Sequence, residues 1–244
     1  MAYTTINKSS LHMNPKLYTG NGGTQSIDVG FQSDWTWLKS RTEAKNNILI
    51  DAVRGSSKDI ISNSANAENT DATRITGFDS DGFNLGSSST TNTNSQNYVS
   101  WNWKANGTGV SNTSGSITST VSASATSGFS IVKWTGTGAN ATVGHGLSTA
   151  PKWVICKRID ADDGWWTYIN SIGAGGEIIL NSTSAQGSNG GVLWNSTNPT
   201  SSVFSVGTNG GVNASSGTYI AYCFAEKQGY SKFGSYVGNG NADG

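Results

Sequence analysis

The sequence predicts an all-β protein made of tandem antiparallel β-sandwich or jelly-roll repeats. Its apolar and aromatic residues fall in short alternating runs, and polar turn pairs such as Asn21-Gly22 and Asp81-Gly82 separate these runs. Because side chains alternate between the two faces of a strand, such runs indicate half-buried strands. Many short strands joined by polar turns are typical of sandwiches and jelly rolls. Charged residues make up only 12% of the 244 residues, so neutral polar side chains are expected to form most of the solvent-exposed surface.

The chain also repeats itself. Segments of the first half have counterparts, in the same order, in the second half: 16–22 with 132–138, 37–41 with 154–158, 48–55 with 166–173, 59–63 with 177–181, 82–86 with 203–207, and 98–103 with 219–224. The spacing grows steadily, from 116 residues between Tyr18 and Trp134 to 121 residues between Tyr98 and Tyr219. Short loop insertions in a duplicated unit produce such a drift, whereas chance similarity would scatter the spacings. We therefore predict a tandem duplication.

The duplication sets the expected domain boundaries. The predicted segments are an N-terminal attachment segment (1–15), a first β-sandwich repeat (16–105), a Ser/Thr/Gly-rich linker or β-like connector (106–126), a second β-sandwich repeat (127–227), and the start of a third repeat or a C-terminal strand (228–244). The sequence leaves open whether each repeat closes its own sandwich or the two repeats share one.

Two aromatic strands are predicted to anchor the core. The side chains that share one strand face are Val99, Trp101 and Trp103 in the first half, and Ile220, Tyr222 and Phe224 in the second. Burying one aromatic side chain removes roughly 150–250 Å² from water. Three large groups on one face would anchor even a domain of about 100 residues. Trp35 and Trp37 also share a face and are predicted to lie in the core. Residues 43–51 could form a short helix, but their counterpart near Trp166 favours a strand.

The charge and the hydropathy pattern exclude several classes of protein. The formal net charge is zero, with 15 basic and 15 acidic residues and no basic stripe, so nucleic-acid binding is not expected. The longest apolar runs are far shorter than the roughly 20 residues that cross a bilayer, so membrane insertion is not expected either. Residues 1–6 lack the charged and apolar regions of a secretory signal peptide.

The sequence predicts no catalytic residue and no enzyme activity. Only two histidines occur, His12 and His145, which leaves little material for a histidine-based metal site or a catalytic triad. His145 corresponds to Phe31 in the first half, and a position that accepts both residues favours packing. The only cysteines, Cys156 and Cys223, fall inside predicted strands and are expected to be small buried side chains without a disulfide.

The best candidate for a binding site is an acidic loop followed by two tryptophans. Asp160, Asp162 and Asp163 precede Trp165 and Trp166 directly. Adjacent strand residues face opposite ways, so one tryptophan should point outward unless both faces are covered. An exposed tryptophan beside carboxylates could hold a sugar ring, which makes Trp165, Trp166, Asp160 and Asp163 candidate ligand-binding residues. The alternative, which we favour, is that both rings are buried in the core or in a subunit contact.

Calcium is a second, weaker possibility. The acidic loops 79–82 and 160–164 could both offer oxygen ligands to Ca²⁺. Neither loop has the spacing of an EF-hand, and solvated turns are the preferred interpretation. The sequence therefore predicts no metal site and no cofactor.

An ordered series of motifs resembles one family of proteins. The motifs are Lys16-Leu17-Tyr18-Thr19-Gly20-Asn21-Gly22, Phe78-Asp79-Ser80-Asp81-Gly82-Phe83, Ala150-Pro151-Lys152-Trp153, Thr200-Ser201-Ser202-Val203-Phe204, Tyr222-Cys223-Phe224-Ala225-Glu226 and Tyr230-Ser231-Lys232-Phe233-Gly234-Ser235-Tyr236. Together they resemble the repeat-bearing virion structural proteins of marine and cyanobacterial tailed bacteriophages, in which tail fibres or related appendages carry concanavalin A-like lectin or laminin-G-like sandwiches. The resemblance covers nearly all of the chain after residue 16.

The resemblance implies a lectin-like structural protein of the virion, assembled in the host cytoplasm. It implies a tail fibre, a tail adaptor or a capsid fibre that binds other tail or capsid proteins, forms a homotrimer and contributes to host attachment through a host-surface glycan. No catalytic or sugar-binding residue transfers with it. Two alternatives remain, a carbohydrate-binding receptor module and a polysaccharide-degrading enzyme of the particle.

Overall fold

A computed structural model describes residues 4–242 as an almost wholly β protein. Strands account for 39% of the chain and helices for 3%, which confirms the all-β prediction. The helices are one 3₁₀ turn, Ser9–Leu11, and one four-residue α-helix, α1 (Gly210–Asn213). Neither has the length and apolarity needed to span a membrane, and residues 4–242 contain no other helix.

The first half of the chain forms two antiparallel sheets. The strands are β1 (Met13–Thr19), β2 (Gln25–Asp28), β3 (Trp35–Ser40), β4 (Ile48–Asp51), β5 (Lys58–Ile61), β6 (Asn69–Thr70), β7 (Ile75–Asp79), β8 (Gly82–Leu85) and β9 (Asn97–Trp103). The large sheet has the order β1-β9-β3-β4-β5-β6, and the small sheet has the order β2-β8-β7. Segment 43–51 thus contributes the strand β4, as the comparison of the two halves predicts.

The second half builds a similar pair of sheets. Its strands are β10 (Val110–Asn112), β11 (Ser119–Ser124), β12 (Phe129–Thr135), β13 (Ala141–Gly144), β14 (Trp153–Arg158), β15 (Trp165–Ile169), β16 (Gly176–Ile179), β17 (Gly187–Ser188), β18 (Val203–Val206) and β19 (Thr218–Phe224). The large sheet has the order β10-β11-β12-β19-β14-β15-β16-β17, and β13 pairs with β18 in the small sheet. From β12 onward this order is that of the first large sheet from β1 onward, which supports the proposed duplication.

Two buried asparagines make the same contacts in the two halves. The Nδ2 atom of Asn92 donates to the carbonyl oxygens of Gly23 and Gly86, at 2.7 and 2.8 Å. The Nδ2 atom of Asn213 donates to the carbonyl oxygens of Ala139 and Gly207, at 2.6 and 2.8 Å. Each side-chain oxygen also accepts a backbone N–H, from Asn21 in the turn after β1 and from Thr137 in the turn after the equivalent strand β12. Each asparagine therefore ties that turn to the segment before the last strand of its half.

Each half closes its own sandwich, which answers the question left open by the sequence. In the first half, Ile27 and Phe83 of the small sheet pack with Leu38 and Ile50 of the large sheet. In the second half, Val143 and Phe204 of the small sheet pack with residues of the large sheet such as Val154, Trp134 and Tyr219. The molecule thus has four layers, with the two small sheets outside and the two large sheets inside.

A third core lies between the two large sheets, and we call it the central core. Trp35 of β3 stacks on Tyr222 of β19, with ring centroids 4.2 Å apart, and on Phe129 of β12 at 5.5 Å. Ile220, Tyr222 and Phe224 all belong to this core, and Trp103 packs against it. The second-half face with Ile220, Tyr222 and Phe224 is therefore covered by the first large sheet, as predicted. The predicted face of β9 is only partly covered: Trp103 packs against the central core, but Val99 and Trp101 are half-buried outside it. The buried side chains of β9 are those of the opposite face, Tyr98, Ser100 and Asn102.

Three expected boundaries differ in the structure. Segment 106–126 is not a free linker, because β10 and β11 pair in order onto β12 and widen the second large sheet. Val121 of β11 is buried. The many Ser and Thr residues of β10 and β11 suit strands at a sheet edge that is partly exposed to solvent. The attachment segment 1–15 is also shorter than expected, because β1 begins at Met13. Past Phe224, the described residues form only one isolated bridge, Lys227 with Ser231, and no C-terminal strand.

Candidate functional site

The structure places Trp165 inside the protein rather than at a binding surface. Its side chain is fully buried in the central core. The indole Nε1 donates to the carbonyl oxygens of Ile61 and Ser64, at 2.9 and 3.1 Å. Because β15 lies between two covered faces, neither side of this strand is open at Trp165. Trp165 is therefore not a sugar platform. The favoured interpretation, a ring buried in the core, is confirmed for Trp165, and the ring joins the two halves.

Trp166 points the other way and is held in place on two sides. It packs against the outer core of the second half, and its Nε1 donates to Oδ1 of Asp163 at 2.9 Å. A Cβ atom added to Gly211 would come within 2.1 Å of this nitrogen, so the ring lies directly on the backbone of α1. Trp166 is half-buried, and its hydrogen-bonding atom is already engaged.

The aspartates of the acidic loop also bind partners within the protein. Asp160 accepts hydrogen bonds from Arg158 Nε at 3.0 Å and from the backbone N–H of Thr218 at 3.1 Å. The hydrogen bond from Arg158 lowers the pKa of Asp160. Asp163 accepts from the backbone of Gly164 as well as from Trp166. Of the four predicted site residues, only Asp163 and Trp166 contact each other, and the polar groups of all four are bound to partners within the protein.

The acidic loop instead fastens the second half to a segment of the first half. The backbone N–H of Asp163 donates to the carbonyl oxygen of Ala65 at 2.8 Å, and Asp162 accepts the N–H of Ala67 at 2.8 Å. The buried ammonium group of Lys157 donates to the same Ala65 oxygen at 3.0 Å. Asp162 is thus the one aspartate of this loop whose carboxylate bonds to the first half, whereas the carboxylates of Asp160 and Asp163 bind within the second half.

The second acidic loop is a tight turn. Ser80 and Asp81 connect β7 with β8, and Asp79 accepts a hydrogen bond from Asn84 Nδ2 at 2.7 Å. Within residues 4–242, no group of three or more His, Cys, Asp or Glu side chains is placed to hold a metal ion.

The two cysteines are buried and free, as the sequence predicts. Cys156 lies on β14 and Cys223 on the neighbouring β19, both within the outer core of the second half. Burial raises the pKa of both thiols, that of Cys223 to about 12. Since the thiolate is the nucleophile, these side chains serve packing.

His145 is a buried, neutral side chain. Its Nδ1 accepts the backbone N–H of Leu147 at 3.2 Å, so Nε2 carries the proton and donates to the carbonyl oxygen of Thr200 at 3.1 Å. Burial lowers the pKa of His145 below its usual value of 6.5. A protonated ring would place a second N–H against the Leu147 N–H. His145 therefore fixes the loop after β13 to the loop before β18.

This arrangement predicts a loss of stability in mild acid. Above about pH 6.5 the imidazole is neutral in both states, and the contribution of His145 is fully present. As the pH falls below that value, the unfolded chain takes up a proton that the folded protein resists, so the free energy of unfolding decreases. Urea unfolding at a series of pH values should show a steeper acid loss for the wild type than for His145→Gln. His12 and the carboxylates titrate in both proteins, so they cancel in the comparison, and equal slopes would contradict the prediction.

Sequence reasoning missed a buried ionic cluster at the centre of the molecule. Asp51, at the end of β4, accepts Arg54 Nε at 2.6 Å and the hydroxyl of Tyr222 at 2.8 Å. Arg54 also donates to Glu68 at 3.2 Å, and its side chain is 1% exposed. Burial alone would lower the pKa of Arg54, but the Asp51 carboxylate raises it above its usual value. Burial, followed by the charge of Asp51, raises the pKa of Tyr222. The cluster links the two halves by a charge pair and a phenol.

The main candidate for a binding surface is an apolar groove where the two halves and both terminal segments meet. We call it the aromatic groove, and its volume is about 480 Å³. Its aromatic lining consists of Trp103, Phe129, Trp153, Phe224, Tyr230 and Phe233. Trp153 stacks on Phe224 at 5.1 Å, and Phe233 of the C-terminal segment lies 6.1 Å from each of these rings. Among the residues that the structure describes, no charged side chain lines this groove.

One wall of the aromatic groove is the start of β1. Met13, Asn14 and Pro15 line it, and β1 is the outermost strand of the first large sheet. The equivalent edge of the second large sheet, at β12, is covered by β11 and β10. An extended polypeptide could therefore lie along the free edge of β1 and place its side chains in the groove.

Comparison with known proteins gives one family. A family model described as a domain of unknown function, DUF7483, matches residues 8–244. No curated protein and no solved structure matches the chain.

Proposed function

The chain belongs to the DUF7483 family, a domain of unknown function, and we propose that it is a non-enzymatic structural protein of a bacteriophage particle. In this proposal it forms part of a tail fibre or a tail-associated appendage, attaches to the particle and contributes to host-surface recognition. The resemblance of the ordered motifs to virion structural proteins supports the assignment, and it implies assembly of a homotrimer in the host cytoplasm.

The observation that carries the proposal is the aromatic groove beside the free edge of β1. Apolar walls and an unpaired strand edge suit an extended apolar segment of another protein, since backbone hydrogen bonds supply affinity and the groove holds alternate side chains. The proposed occupant is such a segment of a neighbouring tail or capsid protein. The central core supports the same role, because it joins the two sandwiches into one block that can transmit force.

A labelling experiment tests the assignment to the particle. Gold-labelled antibodies against the chain should decorate purified particles of the phage that encodes it, at a tail or appendage position seen by electron microscopy. Absence of the protein from washed particles would refute the proposed function. Release of reducing ends from host envelope polysaccharide by the purified protein would instead favour the hydrolase alternative.

A charge placed in the groove tests the docking surface. Ser10 lines the aromatic groove and makes no side-chain hydrogen bond with residues 4–242. Ser10→Arg should lower incorporation into particles by at least about tenfold, because an unpaired charge in an apolar contact is costly. Ser111→Arg, on the exposed strand β10, serves as the matched control and should incorporate normally. Quantitative immunoblots of purified particles give the ratio, and equal incorporation of both variants would refute docking at this groove.

A further inference from the structure

A second groove, which we call the Trp37 groove, lies between the two halves and has a volume of about 390 Å³. Trp37 of β3 and Leu180 of the loop after β16 form its apolar side. Its polar lining comes from the turns beside β4 and β5 and from the loop after β16, and includes Asn47, Asn63, Asn181, Ser182 and Thr183. In contrast to the aromatic groove, amides and hydroxyls surround a single aromatic ring. Within the described part of the chain, no Asp, Glu, Lys or Arg lines it.

The Trp37 ring is fixed and presents a carbon surface. It packs against Trp35, with ring centroids 5.8 Å apart, and edge-on against Trp101 at 6.4 Å. Trp37 packs against the central core as the sequence predicts, but the side chain is only half-buried. Its Nε1 atom is buried, so the accessible part of the ring is apolar.

Of the three amides that line the groove, Asn47 and Asn181 are held at one end and free at the other, and Asn63 is held at both ends. Asn63 Oδ1 accepts the backbone N–H of Asn47 at 2.9 Å, and Asn181 Oδ1 accepts the N–H of Trp165 at 2.9 Å. Asn47 Oδ1, Asn181 Nδ2 and Thr183 Oγ1 have no hydrogen-bond partner among residues 4–242. An acceptor, a donor and a hydroxyl thus remain available beside the ring.

We propose that the Trp37 groove binds an uncharged saccharide. A sugar ring has a C–H face that can lie on an indole, and its hydroxyls both donate and accept, which matches the free amide and hydroxyl groups. A lining without charges favours a neutral sugar over an acidic one. A volume of about 390 Å³ also falls in the usual range of small-molecule sites, roughly 300–1,000 Å³.

The inference rests on the proposed role in host-surface recognition and gives that role a ligand class. One such site would bind weakly, because it offers one aromatic ring and three free polar groups. Display of several copies on one appendage would raise the avidity by roughly 10²–10⁴.

The test uses an array of neutral oligosaccharides of glucose, galactose, mannose and N-acetylhexosamines, with sialylated and uronic acid-containing glycans alongside them. Wild-type protein should bind at least one neutral glycan. Trp37→Ala removes the stacking surface, and Ser182→Trp fills the groove from an exposed position. Both variants should weaken binding by at least about tenfold, the usual effect of losing a central aromatic contact.

Matched controls separate loss of the site from loss of the fold. Tyr18→Ala removes another half-buried aromatic ring, from β1 and outside this groove, and Ser111→Trp adds an indole to exposed β10; both should bind like the wild type. Circular dichroism melting must give the same transition for Ser182→Trp and Ser111→Trp. Binding that survives in Trp37→Ala and Ser182→Trp, a preference for acidic glycans, or no neutral glycan bound at about 10 mM would each overturn the inference. Particle labelling that succeeds while glycan binding fails would refute the saccharide site alone and leave the structural role standing.

Discussion

Replacing Asp51 with alanine is expected to lower the free energy of unfolding by about 3–5 kcal/mol. The substitution leaves the Arg54 guanidinium, whose side chain is 1% exposed, without its main partner. A buried charge that loses its counter-ion keeps the cost of desolvation and loses the attraction that offset it. It also frees the Tyr222 hydroxyl and the backbone N–H groups of Val53 and Arg54, which Asp51 accepts. Urea unfolding followed by tryptophan fluorescence measures the loss.

Two further variants sharpen this result. Glu43→Ala removes a salt bridge between partly exposed side chains, Glu43 and Lys45, and should change the stability by about 0–1 kcal/mol. Tyr222→Phe removes only the hydroxyl that reaches Asp51 from the other half, and should cost about 1–2 kcal/mol. A loss below about 1 kcal/mol for Asp51→Ala would mean that Arg54 finds another partner or water, contrary to its burial here.

Replacing either Asn92 or Asn213 with alanine should cost about 2–4 kcal/mol. Each substitution removes the two bonds donated to backbone carbonyls and the bond accepted from a backbone N–H, so backbone groups near both turns lose their partners. Asn92 also contacts the side chains of Asn21 and Gln25. The aspartate variants should also be destabilised, because a carboxylate cannot donate to the carbonyl oxygens that the amide nitrogen binds.

The similarity of the two effects is the informative part. If the halves arose by duplication, equivalent residues should carry similar shares of the stability, whereas a coincidental likeness would not require it. Asn66→Ala, at an exposed position, controls for loss of an amide and should stay within about 0.5 kcal/mol of the wild type. A loss below that value for either buried asparagine would contradict the structural role assigned to the pair.

Alternation along strands predicts which faces are apolar, but it does not predict what covers them. It identifies the face that carries Tyr222, which lies in the central core, but of the predicted face of β9 only Trp103 packs against that core. It does not reveal that the two large sheets meet each other, because the pattern within one strand carries no information about a distant sheet. Trp165 shows the same limit. Its ring would be exposed if only one face of its sheet were covered, and it is buried because both faces are covered.

Composition misleads where polar residues do structural work. Segment 106–126 has the Ser, Thr and Gly content of a linker, but its strand β11 pairs with β12. The sequence does not show that β12 has a free edge where β11 can pair. Asp51 and Arg54 look like surface charges at a strand end, since nothing local indicates that a second sandwich closes over them. The Trp37 groove is missed for a similar reason, because its residues come from turns more than 100 positions apart and meet only after both halves have folded.

The central core has a consequence for the autonomy of the two sandwiches. The first half alone would expose Trp35 and Trp103 to water, and the second half alone would expose Phe129 and Tyr222. Each half would also lose its partner in the hydrogen bond between Asp51 and Tyr222. Such a patch drives association of isolated halves, so each half depends on the other to keep this face away from solvent. The two halves are then expected to denature in a single cooperative step, and a destabilising substitution in either one should lower the melting temperature of the whole chain.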